Sequence, residues 1–203
     1  MSFKTLKNIC YFAATFTLVV ISVGAWVRLT DAGLGCPDWP GCYGILSTPD
    51  TEQELLRAKE LYPDSTIDIG KAWREMFHRY LAGTLGILVF LITYLTLKYA
   101  KHVPKIYPIS LSILIVVQST MGMLTVTQLV KPTIVTTHLI LGMTTAGLLL
   151  WNGLQVQIKD KIDSIDFRLV NLIFICTLAL IFQIILGSYI FFLFYNCNGF
   201  CRF

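Results

Sequence analysis

The sequence predicts an all-α integral membrane protein, in which an N-terminal four-helix transmembrane bundle is followed by a fifth transmembrane helix. Of its 203 residues, 55% are hydrophobic and only 14% are charged, whereas a soluble domain carries about a quarter charged residues. Mean hydropathy is +0.68. A membrane-crossing helix needs about 20 mostly apolar residues, and five runs reach this length without the period-two alternation of a transmembrane barrel. These runs cover residues 8–28, 76–97, 106–129, 134–157 and 168–194.

The first run reads as a retained helix that also directs membrane insertion. Lys4 and Lys7 form a basic start, as in a secretory signal. The apolar run that follows has no small-residue cleavage site and ends at Arg28 and Leu29. A cleaved signal peptide would have a shorter apolar region and such a site, so we expect this segment to stay in the protein.

Basic residues predict the orientation, because short cytoplasmic loops are enriched in Lys and Arg. They gather in three regions on one side of the membrane: the N-terminus and the loops after the second and fourth runs. These residues are Lys4, Lys7, Lys98, Lys101, Lys105, Lys159, Lys161 and Arg168. We therefore expect a multi-pass protein of the bacterial plasma membrane, with a cytoplasmic N-terminus and the long 29–75 loop on the periplasmic side. The net charge of +4 follows from this topology and does not indicate nucleic-acid binding.

The long outer loop contains one predicted surface helix, over residues 51–62. Thr51 and Glu54 have the spacing of a capping box, and three leucines give the helix one apolar side. They are Leu55, Leu56 and Leu61. We expect a short amphipathic helix without chemistry of its own.

Four of the six cysteines fall on the outer side, where disulfides persist. Cys197 and Cys201 lie in the C-terminal tail, while Cys36 and Cys42 lie in the stretch GLGCPDWPGC. The second pair is close enough in sequence to bridge across a proline-bent turn, and it can be either a structural disulfide or a redox pair. Cys10 and Cys176 lie inside apolar runs and are expected to be packing residues.

Two histidines at similar depth in the second and fourth runs form the strongest candidate site. Glu75 and His78 are three residues apart and share one helix face, and His138 lies near the start of the fourth run. Helices two and four run in the same direction, so two imidazoles can face each other across a flat cofactor such as haem. Zinc would need further ligands at this depth. The alternative is that each histidine hydrogen-bonds a neighbouring helix.

Arg28 and Arg79 lie at the outer ends of the first two runs. Arginine pairs with carboxylates through a bidentate fork, so both side chains are candidates for binding haem propionates. Anchoring to lipid headgroups explains them equally well.

Three motifs together resemble the haem A synthase family: GLGCPDWPGC (33–42), EMFHR (75–79) and THLILG (137–142). The resemblance runs from about Ala25 to Trp151 and extends to Tyr189. It implies an eight-helix membrane protein built from two four-helix halves. It also implies oxidation of a methyl group of haem O to the formyl group of haem A, the haem of cytochrome oxidase.

The resemblance also implies roles for individual residues. His78 and His138 would ligate the iron of the substrate haem, and Glu75 would lie beside its reacting edge as a base or a water-orienting group. Cys36 and Cys42 would be the redox-active or structural pair of the outer loop. The family's second half binds an electron-transferring haem b. Its histidines have no counterpart in this sequence, so we expect that site to be missing and the chain to be a shortened member of the family.

The expected organisation is a four-helix half over 1–157, with the haem pocket and the outer loop, followed by 158–203. The second segment would hold a cytoplasmic loop, the fifth span and a short outer tail of an incomplete second half. Expected partners are haem O, membrane lipid, and haem O synthase, cytochrome oxidase assembly factors or a second copy of the chain.

Two other functions stay open at this stage. One is a membrane thiol-disulfide oxidoreductase that uses Cys36 and Cys42 with a quinone and needs no haem. The other is a non-catalytic protein that binds haem or assists oxidase assembly. A haem absorption band in the purified protein separates the first from both haem-based functions.

Overall fold

A computed structural model describes residues 2–157 together with positions 182, 183, 186 and 187. The described part contains five α-helices and no β-strand; they are α1 (Phe3–Leu29), α2 (Glu52–Leu61), α3 (Ile69–Tyr99), α4 (Ile106–Thr127) and α5 (Pro132–Gln157). Among the described residues, α1, α3, α4 and α5 are long and apolar enough to cross a membrane. The predicted all-α membrane class is confirmed. The segment 158–203 lies outside the described residues except for the four helical positions named above, and with it lie the bulk of the predicted fifth span, Cys176, Cys197 and Cys201.

Helix α3 begins seven residues before the apolar run that predicted it. Asp68 caps the helix by accepting a hydrogen bond from the Lys71 main-chain N–H at 3.0 Å. Such a cap satisfies one of the free N–H groups of the first turn. The polar stretch from Ile69 to Glu75, which the sequence assigned to the outer loop, therefore forms the first two turns of α3. This extension places Glu75 and His78 on one continuous helix.

The four long helices form a ring in the order α1, α3, α4, α5. Helix α1 packs against α3 and α5, and α4 packs against the same two helices. Helices α3 and α5 therefore occupy one diagonal of the bundle. Aliphatic side chains from all four helices fill its centre, including Leu6, Val89, Leu111 and Leu149.

A buried amide joins three helices at the end of the bundle away from the long loop. Asn152 of α5 is fully buried and donates to the Thr96 hydroxyl of α3 at 3.1 Å. It also lies 3.6 Å from the Cys10 sulfur of α1. Polar side chains commonly link helices in membranes in this way. This contact joins α3 and α5 across the diagonal.

The other end of the bundle, here called the loop end, carries residues 30–68. Cys36 and Cys42 form a disulfide with an S–S distance of 2.04 Å, and both residues are fully buried. Within this turn Asp38 accepts hydrogen bonds from the main-chain N–H groups of Tyr43 at 2.6 Å and Gly44 at 2.8 Å. The turn packs on the start of α3, where Cys36 and Cys42 join a small apolar cluster with Met76.

The predicted surface helix is confirmed as α2, with the predicted cap. The Thr51 hydroxyl accepts from the Glu54 N–H at 3.3 Å, and the Glu54 carboxylate accepts from the Thr51 N–H at 3.2 Å. This reciprocal pair is a capping box. Local sequence alone was sufficient to predict this helix because both capping residues lie within one turn.

Candidate functional site

His78 and His138 lie on the two diagonal helices at the loop end of the bundle. His78 follows the start of α3 at Ile69 by nine residues, and His138 follows the start of α5 at Pro132 by six. At 1.5 Å per residue these are depths of about 14 and 9 Å along two helices that run in the same direction. The structure thus places both predicted ligands at the loop end of the bundle, one on each of the two diagonal helices.

Each imidazole lies against a glycine of a neighbouring helix. A Cβ atom added to Gly24 of α1 would lie 2.8 Å from Cε1 of His78, and one added to Gly122 of α4 would lie 3.4 Å from Cε1 of His138. Real Cβ contacts do not reach 2.8 Å, so the His78 ring occupies space that only glycine leaves open. Sequence reasoning did not single out these glycines, although both lie near the outer ends of the runs that precede the histidines.

The ring nitrogens of both histidines suit axial ligation of haem iron. Nδ1 of each ring is buried without a hydrogen-bond partner, while the rings lie beside the main chains of Val20 and Gln118 respectively. A ligating histidine binds metal through one nitrogen and turns the other N–H towards a carbonyl or carboxylate. Among residues 2–157, no three His, Cys, Asp or Glu side chains gather as a metal site. Two imidazoles suit an iron whose remaining ligands come from a porphyrin.

Glu75 joins the start of α3 to the disulfide turn. It is only 4% exposed, and its carboxylate accepts a hydrogen bond from the Cys36 N–H at 3.0 Å. It also forms a buried ion pair with Arg79. A Cβ on Gly35 would lie 2.6 Å from the Ala72 main-chain nitrogen, so glycine lets the turn rest directly on the helix. The predicted catalytic group of Glu75, Cys36 and Cys42 is thus one contiguous cluster, about one helical turn from His78.

The Arg79 guanidinium is directed at the loop. Nη1 donates to the carbonyl oxygens of Asp38 at 3.0 Å and Pro40 at 3.3 Å, and also to that of Gly41. Nη2 binds Glu75. Arg79 therefore holds the disulfide turn on α3, a contact between distant segments that the sequence did not indicate.

Arg28 and Arg74 are arginines near the loop ends of α1 and α3. Arg28 lies at the end of α1 and pairs with Asp31 at 3.8 Å. Arg74 lies 5.8 Å from the ring centre of Trp26. Sequence reasoning did not select Arg74, although it precedes His78 by four residues and so shares its helix face.

Comparison with known proteins gives a consistent family assignment. The family described as cytochrome oxidase assembly protein matches residues 7–192. A haem A synthase of Shewanella oneidensis is 44% identical over 176 residues, which are 86% of this chain and 53% of that protein. A haem A synthase of Bacillus mycoides is 30% identical over 165 residues, 79% of this chain and 48% of that protein. The chain spans about half the length of the curated relatives it matches, and no solved structure matches it.

Proposed function

Because the chain belongs to the haem A synthase family of cytochrome oxidase assembly proteins, we propose that it oxidises the methyl group of haem O to a formyl group. The observation that carries this proposal is the pair of imidazoles, His78 and His138, on diagonal helices at the end where Glu75 lies. The overall change adds one water oxygen to the methyl carbon and releases four electrons and four protons. An external oxidant, such as a quinone or molecular oxygen, would have to accept these four electrons.

His78 and His138 would hold the substrate haem between α3 and α5. In this arrangement one nitrogen of each imidazole would bind the iron. The buried Nδ1 atoms without partners and the glycines beneath the rings support it. The haem would supply the methyl group that is oxidised, and the two histidines would hold it beside Glu75.

Glu75 would take up protons released as the methyl carbon is oxidised. An ionised carboxylate accepts hydrogen bonds at both oxygens with more than one lone pair at each. One oxygen is held by the Cys36 N–H and the other by Arg79, so the carboxylate keeps its position while free lone pairs can bind water. A positioned general base contributes about 10²–10⁴-fold to a rate.

The disulfide would be a structural element of this site. Both of its cysteines are fully buried, whereas thiol-disulfide exchange needs a sulfur that an incoming thiolate can reach. Its turn supplies the Cys36 N–H to Glu75 and three carbonyl oxygens to Arg79. This burial argues against the thiol-disulfide oxidoreductase alternative.

The loop end would face the periplasmic side. Lys98, Lys101 and Lys105 lie at the opposite end of the bundle, which agrees with the enrichment of basic residues in cytoplasmic loops. Haem propionates directed outwards would then meet Arg28 and Arg74, since Arg79 is bound to the loop. We therefore propose haem O as the substrate, which would reach the site from the membrane.

The experiment is production of the full chain in a bacterial host that makes haem O and lacks its own haem A synthase. Extracted pigments are separated and haem A is quantified, and the purified protein is examined for a haem absorption band. We expect haem A from the unaltered chain and none from the His78→Ala/His138→Ala variant. Haem O bound without any haem A would instead support a non-catalytic haem-binding protein, and absence of any haem band would reject both.

A further inference from the structure

Helices α4 and α5 pack together near His138 through two similar contacts. In each contact a polar side chain of one helix lies against a glycine of the other. Gln118 of α4 reaches the space left by Gly142 of α5: a Cβ on this glycine would lie 3.1 Å from Gln118 Nε2. One turn further along, His138 of α5 reaches the space left by Gly122 of α4. Each helix thus offers one polar side chain and one glycine to the other.

Gln118 binds the main chain of the histidine itself. Its Nε2 donates to the His138 carbonyl oxygen at 2.9 Å. In an α-helix this oxygen already accepts the N–H four residues later, so the amide uses its second lone pair. The His138 ring in turn lies against Gly122 of α4, where an added Cβ would be 3.4 Å from Cε1. The position of His138 along and around α5 is therefore fixed from α4 at two points.

We propose that Gln118 is a positioning residue for His138, which sets the depth and rotation at which the imidazole faces His78. This inference rests on the proposed function only in taking His138 as a haem ligand. A single hydrogen bond between membrane helices contributes little stability, so Gln118 acts mainly through geometry. Small errors of position suffice to weaken ligation, since the ligand atoms of a site must lie within about 0.5 Å of their functional positions.

Asn152 provides a matched control for this proposal. It is an amide of the bundle that donates to a neighbouring helix at 3.1 Å, although it is fully buried whereas Gln118 is half-buried. Like Gln118, it has one buried carbonyl oxygen without a partner. It lies at the opposite end of the bundle from His138. Substitution of either amide should weaken helix packing in general. Only substitution of Gln118 should change the position of His138.

The test compares Gln118→Leu, Gly142→Ala and Asn152→Leu in the full chain purified with bound haem. Absorption and electron paramagnetic resonance spectra report whether the ferric iron is low-spin with two histidines or high-spin with one. We expect Gln118→Leu and Gly142→Ala to convert part of the low-spin signal to high-spin, and Asn152→Leu to lower the melting temperature without changing the spectrum. In a His138→Ala background, Gln118→Leu should add no further spectral change.

Two results overturn the inference, and they differ from failure of the proposed function. An unchanged low-spin signal in Gln118→Leu, or the same change in Asn152→Leu, rejects the positioning role while leaving His138 as a ligand. If His138→Ala itself leaves the spectrum unchanged, the ligand assignment fails and the positioning role fails with it. If Gln118→Leu does not accumulate, Gly142→Ala decides by the same criteria, because its added Cβ, 3.1 Å from Nε2, would shift the amide by a few tenths of an ångström.

Discussion

The carboxylate of Glu75 accepts a hydrogen bond from the main-chain N–H of Cys36 at 3.0 Å. The bond links the first turns of α3 to a disulfide turn 39 residues earlier in the chain. Because Glu75 lies one turn before His78, the position of the loop and the position of the carboxylate beside the proposed haem are set together.

Glu75→Gln should abolish haem A formation while haem O stays bound. The amide keeps the size of the side chain and one oxygen for the Cys36 N–H, but it cannot take up a proton. We expect conversion to fall by about 10²–10⁴-fold, measured as the ratio of haem A to haem O in extracted pigment. Glu60→Gln, on the exposed face of α2, is the control. An unchanged ratio in Glu75→Gln would remove this residue from the mechanism.

Replacing both Cys36 and Cys42 by serine should destabilise the protein but reduce conversion only partly. Closing so short a loop is worth about 2 kcal/mol on the chain-entropy estimate, and the Cys36 N–H that binds Glu75 is retained. Thermal unfolding in detergent measures the first effect and haem A yield the second. Complete loss of conversion in a variant that still binds haem and unfolds at the same temperature would contradict a purely structural role of the disulfide.

Gly24→Ala should disturb haem binding, because its Cβ would lie 2.8 Å from Cε1 of His78. Forcing an extra methyl group into a packed site costs about 1–3 kcal/mol, and here the imidazole must move. Haem content and the spin state of the iron measure the effect. Gly83→Ala and Gly147→Ala are matched controls in the same bundle, since a Cβ at either position meets nothing within 4 Å. Equal effects at all three positions would contradict this explanation.

Arg79→Gln and Arg74→Gln should have different effects. Arg79 holds three carbonyl oxygens of the disulfide turn and pairs with Glu75, and breaking a buried pair costs about 3–5 kcal/mol. We expect faster proteolysis within residues 30–68 for Arg79→Gln. Arg74→Gln should leave that rate unchanged and lower haem retention during washing. The reverse pattern would return Arg79 to the role of propionate partner.

The N-terminus of α2 should loosen on acidification. Hydrogen bonds from the Thr51 and Asp50 main-chain N–H groups lower the pKa of Glu54 to about 2. A lowered folded-state pKa gives stability that is present above the unfolded value of 4.5 and is lost as pH falls towards 2. Carbon-13 titration of labelled glutamate in the full chain measures this pKa. Thr51→Pro, which removes the Thr51 N–H, should raise it towards the ordinary value, and an unchanged pKa would show that this donor does not determine it.

The sequence predicted those features that depend on residues close together in the chain. Apolar composition predicted the four described spans, and residues three apart predicted the α2 cap. The diagonal placement of α3 and α5 depends on packing among helices, which no single run encodes. Arg79 was predicted beside propionates because only its position at a helix end was visible, whereas its bonds to Asp38, Pro40 and Gly41 depend on how the loop folds back. Gln118 was overlooked although it is the single amide side chain of α4.

The hydrogen bond between Asn152 and Thr96 limits the routes by which a haem could enter or leave the bundle. It joins α3 and α5 at the end of the bundle opposite the loop end, while the histidines lie near the loop end. A rigid, flat molecule as wide as a porphyrin would not pass lengthwise between two helices joined in this way. If the proposed function holds, haem O and its product would therefore enter and leave sideways between neighbouring helices, directly from the lipid.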